Sequence, residues 1–305
     1  MGDVPDPAAD RRGQLAAGRA AADVRRGEGP GVTRRPAGWP TYLVLALFAA
    51  GSLFPLLWTA IAASVTSTRL AQSPPPFWFG GNLLRNLRIA WTDAALGTAL
   101  LNTTVVAGTV AAGTVLFATL AGFAFARLRF RGRNGLLVVV IATMTVPPQL
   151  SVVPLYLLIA ELGWTDRLQA VIMPALASAF GVFFMRQYLV QALPAELVEA
   201  ARVDGAGTWR VLWHVVFPAA RPAMAVLAML TFVMAWNDFF WPVIALTQSG
   251  SPTVQVALAG LGRGYVPDQA VVMAGALLGT LPLLLVFVVL GRQIVGGIMQ
   301  GAVKG

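Results

Sequence analysis

Cysteine is absent from the 305 residues, and lysine and histidine occur once each. The first absence excludes a disulfide framework, a thiolate metal site and a cysteine nucleophile together. The single lysine, Lys304, lies in the string GAVKG, outside any GxxxxGK[ST] spacing, so the chain has no phosphate-binding loop of that kind and is not a P-loop ATPase. With His214 as its sole histidine, it has no HExxH helix, no multi-histidine metal site and no partner for a histidine-dependent serine nucleophile. His214 reads as a loop side chain at a membrane surface. Charge is scarce as well: 11% of residues are charged, against about a quarter in soluble domains.

What fills the chain instead is apolar, 57% of residues, with a mean hydropathy of +0.71. A bilayer core of ~30 Å takes about 20 apolar residues as a helix. Six stretches qualify, at about 41–63, 96–126, 135–160, 168–190, 222–246 and 270–290. The second exceeds one crossing and is expected to project into water. Residues 1–38 are rich in Ala, Gly, Pro, Arg and Asp and poor in large apolar side chains, which predicts a disordered basic cytoplasmic tail ahead of a membrane domain over 39–305. The first apolar stretch starts only at Thr41, so no cleaved leader is expected.

The net charge of +9 raises the question of nucleic acid, but its distribution argues for membrane topology. Counting Lys and Arg on alternate sides of the six stretches gives 17 on one side and 5 on the other. The larger group holds seven arginines of the tail, Arg127, Arg129, Arg131 and Arg133. Under the positive-inside rule this predicts a multi-pass protein of the cell membrane with both termini in the cytoplasm.

The longest charged segment between apolar stretches is LPAELVEAARVDGAGTWRVLWHVVFPAARP, residues 193–222. Pro194 suits a first helical position, Glu196 and Glu199 the positive end of a helix dipole, and Arg202 the negative end. Gly205 supplies a left-handed stop. Thr208 is expected to cap a second short helix that Pro218 ends. On the first helix Leu197, Ala200, Ala201 and Asp204 share one side by three-and-four spacing, a shallow surface that another backbone can approach. The same pattern fits a helix lying on lipid headgroups.

The string EAARVDGAG followed by FPAARP resembles the EAA motif of ABC importer permeases, with Glu199, Ala200, Ala201, Asp204, Gly205, Ala206 and Pro218 at matching positions. NTTVVAG at 102–108, AFARLRFRGR at 124–133, TVPPQLSVVPLY at 145–156, AWNDFFWPV at 235–243 and GAVKG at 301–305 are similar to the carbohydrate, maltose-type branch of that family. The resemblance implies an all-α membrane protein of six transmembrane helices, the type I ABC importer fold with a cytoplasmic EAA coupling helix. It also implies a second related permease, two ATPase subunits that bind ATP and Mg, and an extracellular solute-binding protein. No cofactor is expected on this chain. By the same resemblance Glu199 forms contacts at the edge of a cleft in the ATPase. Ala200, Ala201 and Gly205 are packing positions, Asp204 forms the turn, and residues 301–305 reach toward the ATPases.

A solute path needs polar groups and irregular backbone lining a cavity. Pro147, Pro148 and Pro154 with Gln149 interrupt the third stretch, as a structural kink or as a place of solute contact. Asn237 and Asp238 lie beside Trp236, Phe239, Phe240 and Trp241 in the fifth. That set reads as an interfacial belt and subunit interface, or as a sugar contact through ring faces and amides. The functional reading is a disaccharide or oligosaccharide permease. Its rivals are a permease for glycerol phosphate or another polar solute, an ion-coupled secondary transporter and a membrane scaffold. A secondary transporter predicts several midplane ionisable groups and inverted repeats, whereas the sequence offers only Asp238 and no convincing repeat.

Overall fold

The structure, a computed structural model, describes residues 38–247, 250–263 and 267–302, with the backbone alone from 290 onward. The tail anticipated over 1–38 lies outside it except for Gly38, as do residues 303–305 of the C-terminal string. By its contacts the chain divides at Pro55. In the first unit the described residues from Trp39 to Phe54 are helical and exposed throughout. They form the larger part of helix α1, Trp39–Ser64.

The second unit continues with α2, Ser67–Leu70, α3, Leu83–Asp93, and α4, Leu96–Arg127. Then come α5, Arg133–Thr143, a 3-10 turn at Pro148–Ser151, and α6, Val152–Glu161. Helices α7, Gln169–Ala175, and α8, Ala179–Ala192, precede α9, Ala195–Val203. The chain closes with α10, Thr208–Val211, a π turn at Leu212–Val216, α11, Phe217–Asn237, α12, Phe240–Ala245, α13, Val254–Leu261, and α14, Gln269–Ala302. Every regular element among the described residues is helical. A helix satisfies its own backbone within one segment, which a lipid environment demands. By length and composition five helices can cross a membrane, or six if the pair Arg133–Thr143 and Pro148–Glu161 counts as one broken span.

Helix α4 is the hub. Its 32 residues rise about 48 Å, and it contributes to all three apolar cores. Val115 and Phe123 join Met185, Leu189, Leu193, Val216 and Leu227 of the neighbouring helices. Leu96 and Ala99 pack with Ala63, Ala90, Val254 and Val271. Val106 and Val110 meet Ile159, Val171, Ala245 and Leu246. Small residues bring the backbones close. A Cβ on Gly122 would lie 2.8 Å from Met185 Cβ and 2.9 Å from the Arg186 nitrogen, so α8 seats directly on α4 there.

The breaks have local causes. The third apolar stretch bends by 95°, because adjacent Pro147 and Pro148 remove two backbone donors. In the fourth, α7 holds Pro174, and α8 restarts where Ser178 Oγ accepts the Gly181 N–H at 3.0 Å. The fifth differs most from the sequence expectation. Its helical course runs from Thr208 to Asn237 without a stop at Pro218, then breaks at Asp238 before α12. Immediately before Pro218, the Phe217 N–H reaches back to the Leu212 carbonyl in the π pattern. That widened turn accommodates a ring that would otherwise clash one turn back.

Candidate functional site

Helix α9 begins after Pro194, which is the N-cap (φ −55°, ψ 146°), one position earlier than anticipated. It ends as the sequence indicates. Gly205 has φ +78°, its N–H bonds the Arg202 carbonyl at 3.0 Å, and the Ala206 N–H bonds the Ala201 carbonyl at 2.9 Å. These two bonds make a Schellman motif, in which only glycine takes the left-handed position without strain. Its apolar contact is also present, since Ala201 and Ala206 both pack on the same core. Asp204 is the C-cap. It is exposed, and its backbone N–H bonds the Ala200 carbonyl.

The faces of α9 divide differently from the expectation. Val198 is 4% exposed and Ala201 half-buried, and both turn into the core shared by α4, α8, α10 and α11. Leu197, Ala200 and Asp204 face outward, so Ala201 does not share their surface. Ala201 is an inner packing residue because it also closes the Schellman turn. The outer face carries Glu196, Glu199, Ala200 and Arg202, with Val203 88% exposed. Glu199 has no hydrogen-bond or ion-pair partner among the described residues. Trp209, 70% exposed, and Trp213 follow on the next turns. Val203 and Trp209 escaped the sequence reading, although apolar side chains inside a charged loop are a usable signal of a covered surface. His214 is exposed, with Nδ1 3.0 Å from the Arg210 carbonyl.

The inner face ties this loop to the membrane helices. Leu193, Val198, Val211, Leu212 and Val216 sit in one core with Met185 and Leu189 of α8 and Leu227 of α11. Full burial of a Val or Leu side chain contributes about 1.5–3 kcal/mol. Arg127, at the end of α4, donates to the Val190 carbonyl at 2.8 Å and to Leu189 at 3.4 Å. Packed contacts and these hydrogen bonds thus join α9 to the core formed by α4, α8 and α11.

The expected pathway residues are not assembled as one set. Trp236 is 2% exposed, and its indole N–H donates to the Gly279 carbonyl at 3.1 Å. It clamps α11 to α14. Asn237 is exposed and bonds back to the Val233 carbonyl at 2.9 Å. Asp238 is half-buried at the break, where it is the C-cap of α11 and its carboxylate lies near the backbone N–H groups of Phe240 and Trp241 at the start of α12. Trp241 pins that short helix by donating to the Ala170 carbonyl at 2.9 Å. Gln149 is exposed at the 95° bend, and its amide has no partner among the described residues. Among those residues there is also no group of three or more metal-binding side chains.

The family described as "Binding-protein-dependent transport system inner membrane component" matches residues 114–298. The lactose transport system permease protein LacG of Rhizobium radiobacter is 32% identical over 86% of this chain and 95% of its own length. The arabinooligosaccharides transport system permease protein AraQ of Halalkalibacterium halodurans is 30% identical over 88% and 96%. The fold is also similar to a bacterial ABC transporter involved in the import of the acidic polysaccharide alginate, with a TM-score of 0.70 and 22% identity over 83% of this chain and 94% of that one. With a family match over most of its length, the chain belongs to the inner membrane components of binding-protein-dependent transport systems, permease subunits whose ATPase activity lies in a separate subunit.

Proposed function

We propose that this chain is a permease subunit of an ATP-driven importer for a disaccharide or oligosaccharide, and that it receives the ATPase stroke through α9. The observation that carries this reading is Glu199, an unpaired carboxylate on the outer face of a helix whose inner face is packed into the membrane helices. A surface helix resting on lipid would turn its apolar side outward to the bilayer. Here Val198 and Ala201 pack into the protein's own core, and the outer face mixes acidic, basic and small residues with the exposed apolar Leu197 and Val203. That composition suits a protein cleft. Ala200 gives close approach, Glu199 pairs at the cleft edge, and Asp204 and Gly205 hold the turn. Val203 and Trp209 extend the contact.

The partners in this reading are a second related permease, two ATPase subunits holding ATP and Mg, and an extracellular solute-binding protein. Both termini lie in the cytoplasm. The saccharide assignment rests on the lactose and arabinooligosaccharide relatives, with Asn237, Asp238 and Gln149 as the groups of this chain nearest to a path. A ligand screen against the cognate binding protein decides between a saccharide and glycerol phosphate.

The test of coupling is Glu199→Ala in the purified importer. Loss of one partner of an interfacial charge pair costs about 2–5 kcal/mol, so ATPase co-purification and solute-stimulated hydrolysis are expected to fall at least tenfold with membrane insertion unchanged. Glu161→Ala, at the exposed end of α6, is the silent control. Full activity of Glu199→Ala together with loss in Glu161→Ala overturns the docking assignment.

A further inference from the structure

The loop between α4 and α5 presents a feature that the docking role does not use. Arg129, Phe130, Gly132, Arg133, Asn134 and Gly135 line an open cleft of about 430 Å³, within the ~300–1,000 Å³ range of small-ligand sites. The cleft is strongly positive. Four arginines fall within residues 127–133, and no Asp or Glu occurs between Asp93 and Glu161. Two of the four are occupied: Arg127 by the Leu189 and Val190 carbonyls, and Arg133 in part by the Leu128 carbonyl at 3.3 Å. Arg129, in the cleft wall, and Arg131 beside it are exposed and have no partner among the described residues.

The surroundings specify the kind of anion. Directly beyond the cleft, α5 presents Leu136, Val138 and Val139 outward, Val138 being 65% exposed. Phe130, packed against Phe125 at 5.9 Å, stands at the boundary as an interfacial aromatic. Arg127 places the loop beside the end of α8 that leads into α9, hence on the face that carries the coupling loop. Unpaired guanidinium groups in the loop that leads into an exposed apolar helix face match a molecule with a phosphate at one end and acyl chains at the other. Basic pockets at the cytoplasmic side of membrane helices hold such headgroups.

We infer that the cleft at Arg129–Gly135 is a binding site for the phosphodiester headgroup of an anionic phospholipid, held by Arg129 and Arg131, with its acyl chains along α5. The inference rests on the membrane topology of the proposed function but not on the solute or the ATPase. It is tested on the delipidated full-length chain in neutral detergent, by native mass spectrometry during titration with phosphatidylglycerol or with phosphatidylcholine of the same acyl composition. Phosphatidylglycerol is expected to bind at least tenfold more tightly, and binding is expected to weaken with added salt. One basic side chain near an anionic lipid surface is worth about fivefold, so Arg129→Gln is expected to weaken binding about fivefold and the pair Arg129→Gln/Arg131→Gln about 30-fold. Arg85→Gln/Arg88→Gln on α3 removes the same charge elsewhere and is expected to change nothing. Equal binding of the two lipids, or an unaffected double variant, overturns the site. Competition by inorganic phosphate at lipid-like concentrations also overturns it, by showing a free-anion site. Loss of ATPase co-purification with lipid binding intact reassigns the arginines to the partner and overturns it too. Because binding is read directly on one chain, its failure leaves the transport reading standing, and a failed transport assay leaves the binding result standing.

Discussion

Gly205 shows how one residue sets the geometry of the proposed docking loop. Its φ of +78° is open to glycine and costly for a β-branched side chain, yet a Cβ there would meet nothing within 4 Å. Gly207, two residues on, has φ −67° and equally open space. Gly207 is the N-cap of α10 and lies in the ordinary extended region, whereas Gly205 alone needs the left-handed one. Gly205→Val is expected to strain the turn by about 1–2 kcal/mol and to lower solute-stimulated ATP hydrolysis, while Gly207→Val stays near wild type. Parallel hydrolysis assays check this, and equal losses would show that steric contact, not handedness, governs the loop. The left-handed stop was legible in the sequence because few residues can occupy it. The inward turn of Ala201 was not, since alanine is equally at home on either face of a helix and only the packing of its neighbours fixes which. Trp236 failed to be legible for a related reason: an aromatic beside Asn237 and Asp238 looks the same in a sugar site as in a clamp, until the Gly279 carbonyl is found 3.1 Å from its indole nitrogen.

Among the elements, α4 and α8 approach each other closely at Gly122. The Gly122 Cβ position lies under 3.0 Å from both side-chain and backbone atoms of Met185 and Arg186. Gly122→Ala is therefore expected to push the helices apart and destabilise the protein by about 1–3 kcal/mol. Gly108→Ala on the same helix meets nothing within 4 Å and is expected to be neutral or stabilising by up to about 1 kcal/mol. Thermal unfolding in detergent separates them, and a melting temperature for Gly122→Ala equal to that of Gly108→Ala would rule out the close approach. A smaller effect belongs to the α8 restart: Ser178→Ala deletes the oxygen that accepts the Gly181 N–H and is expected to cost about 1 kcal/mol, measured the same way. The course of α11 taught the opposite lesson about proline. Pro218 was expected to end a helix, but a π turn ahead of it lets the chain continue.

For the molecule as a whole, the arginine count fixes an expected orientation that the packing does not contradict. A reporter enzyme fused after Lys304 is expected to be active only when cytoplasmic, and one inserted at Gly250 only when external. Opposite labelling at either point would overturn the proposed topology. The same orientation puts α9 and the cleft at Arg129 on the cytoplasmic side, so one topology experiment bears on both the docking reading and the lipid site.

The sequence alone determined the solvent this protein folds in, its apolar segments and the break at Pro147–Pro148, because transfer energy and missing donors are properties of short stretches taken one at a time. It also placed the loop proposed to face the ATPase, through a spacing of Glu, Ala, Asp and Gly whose turn geometry is local. Only the tertiary structure decided which side of α9 is free, where the fifth helix begins and that it breaks at Asp238 before α12. The reason is physical. Helices that are apolar nearly all round carry no directional signal, and a carbonyl reached from another helix, or a hydrogen bond shifted by one residue in a π turn, depends on neighbours that a linear pattern does not contain.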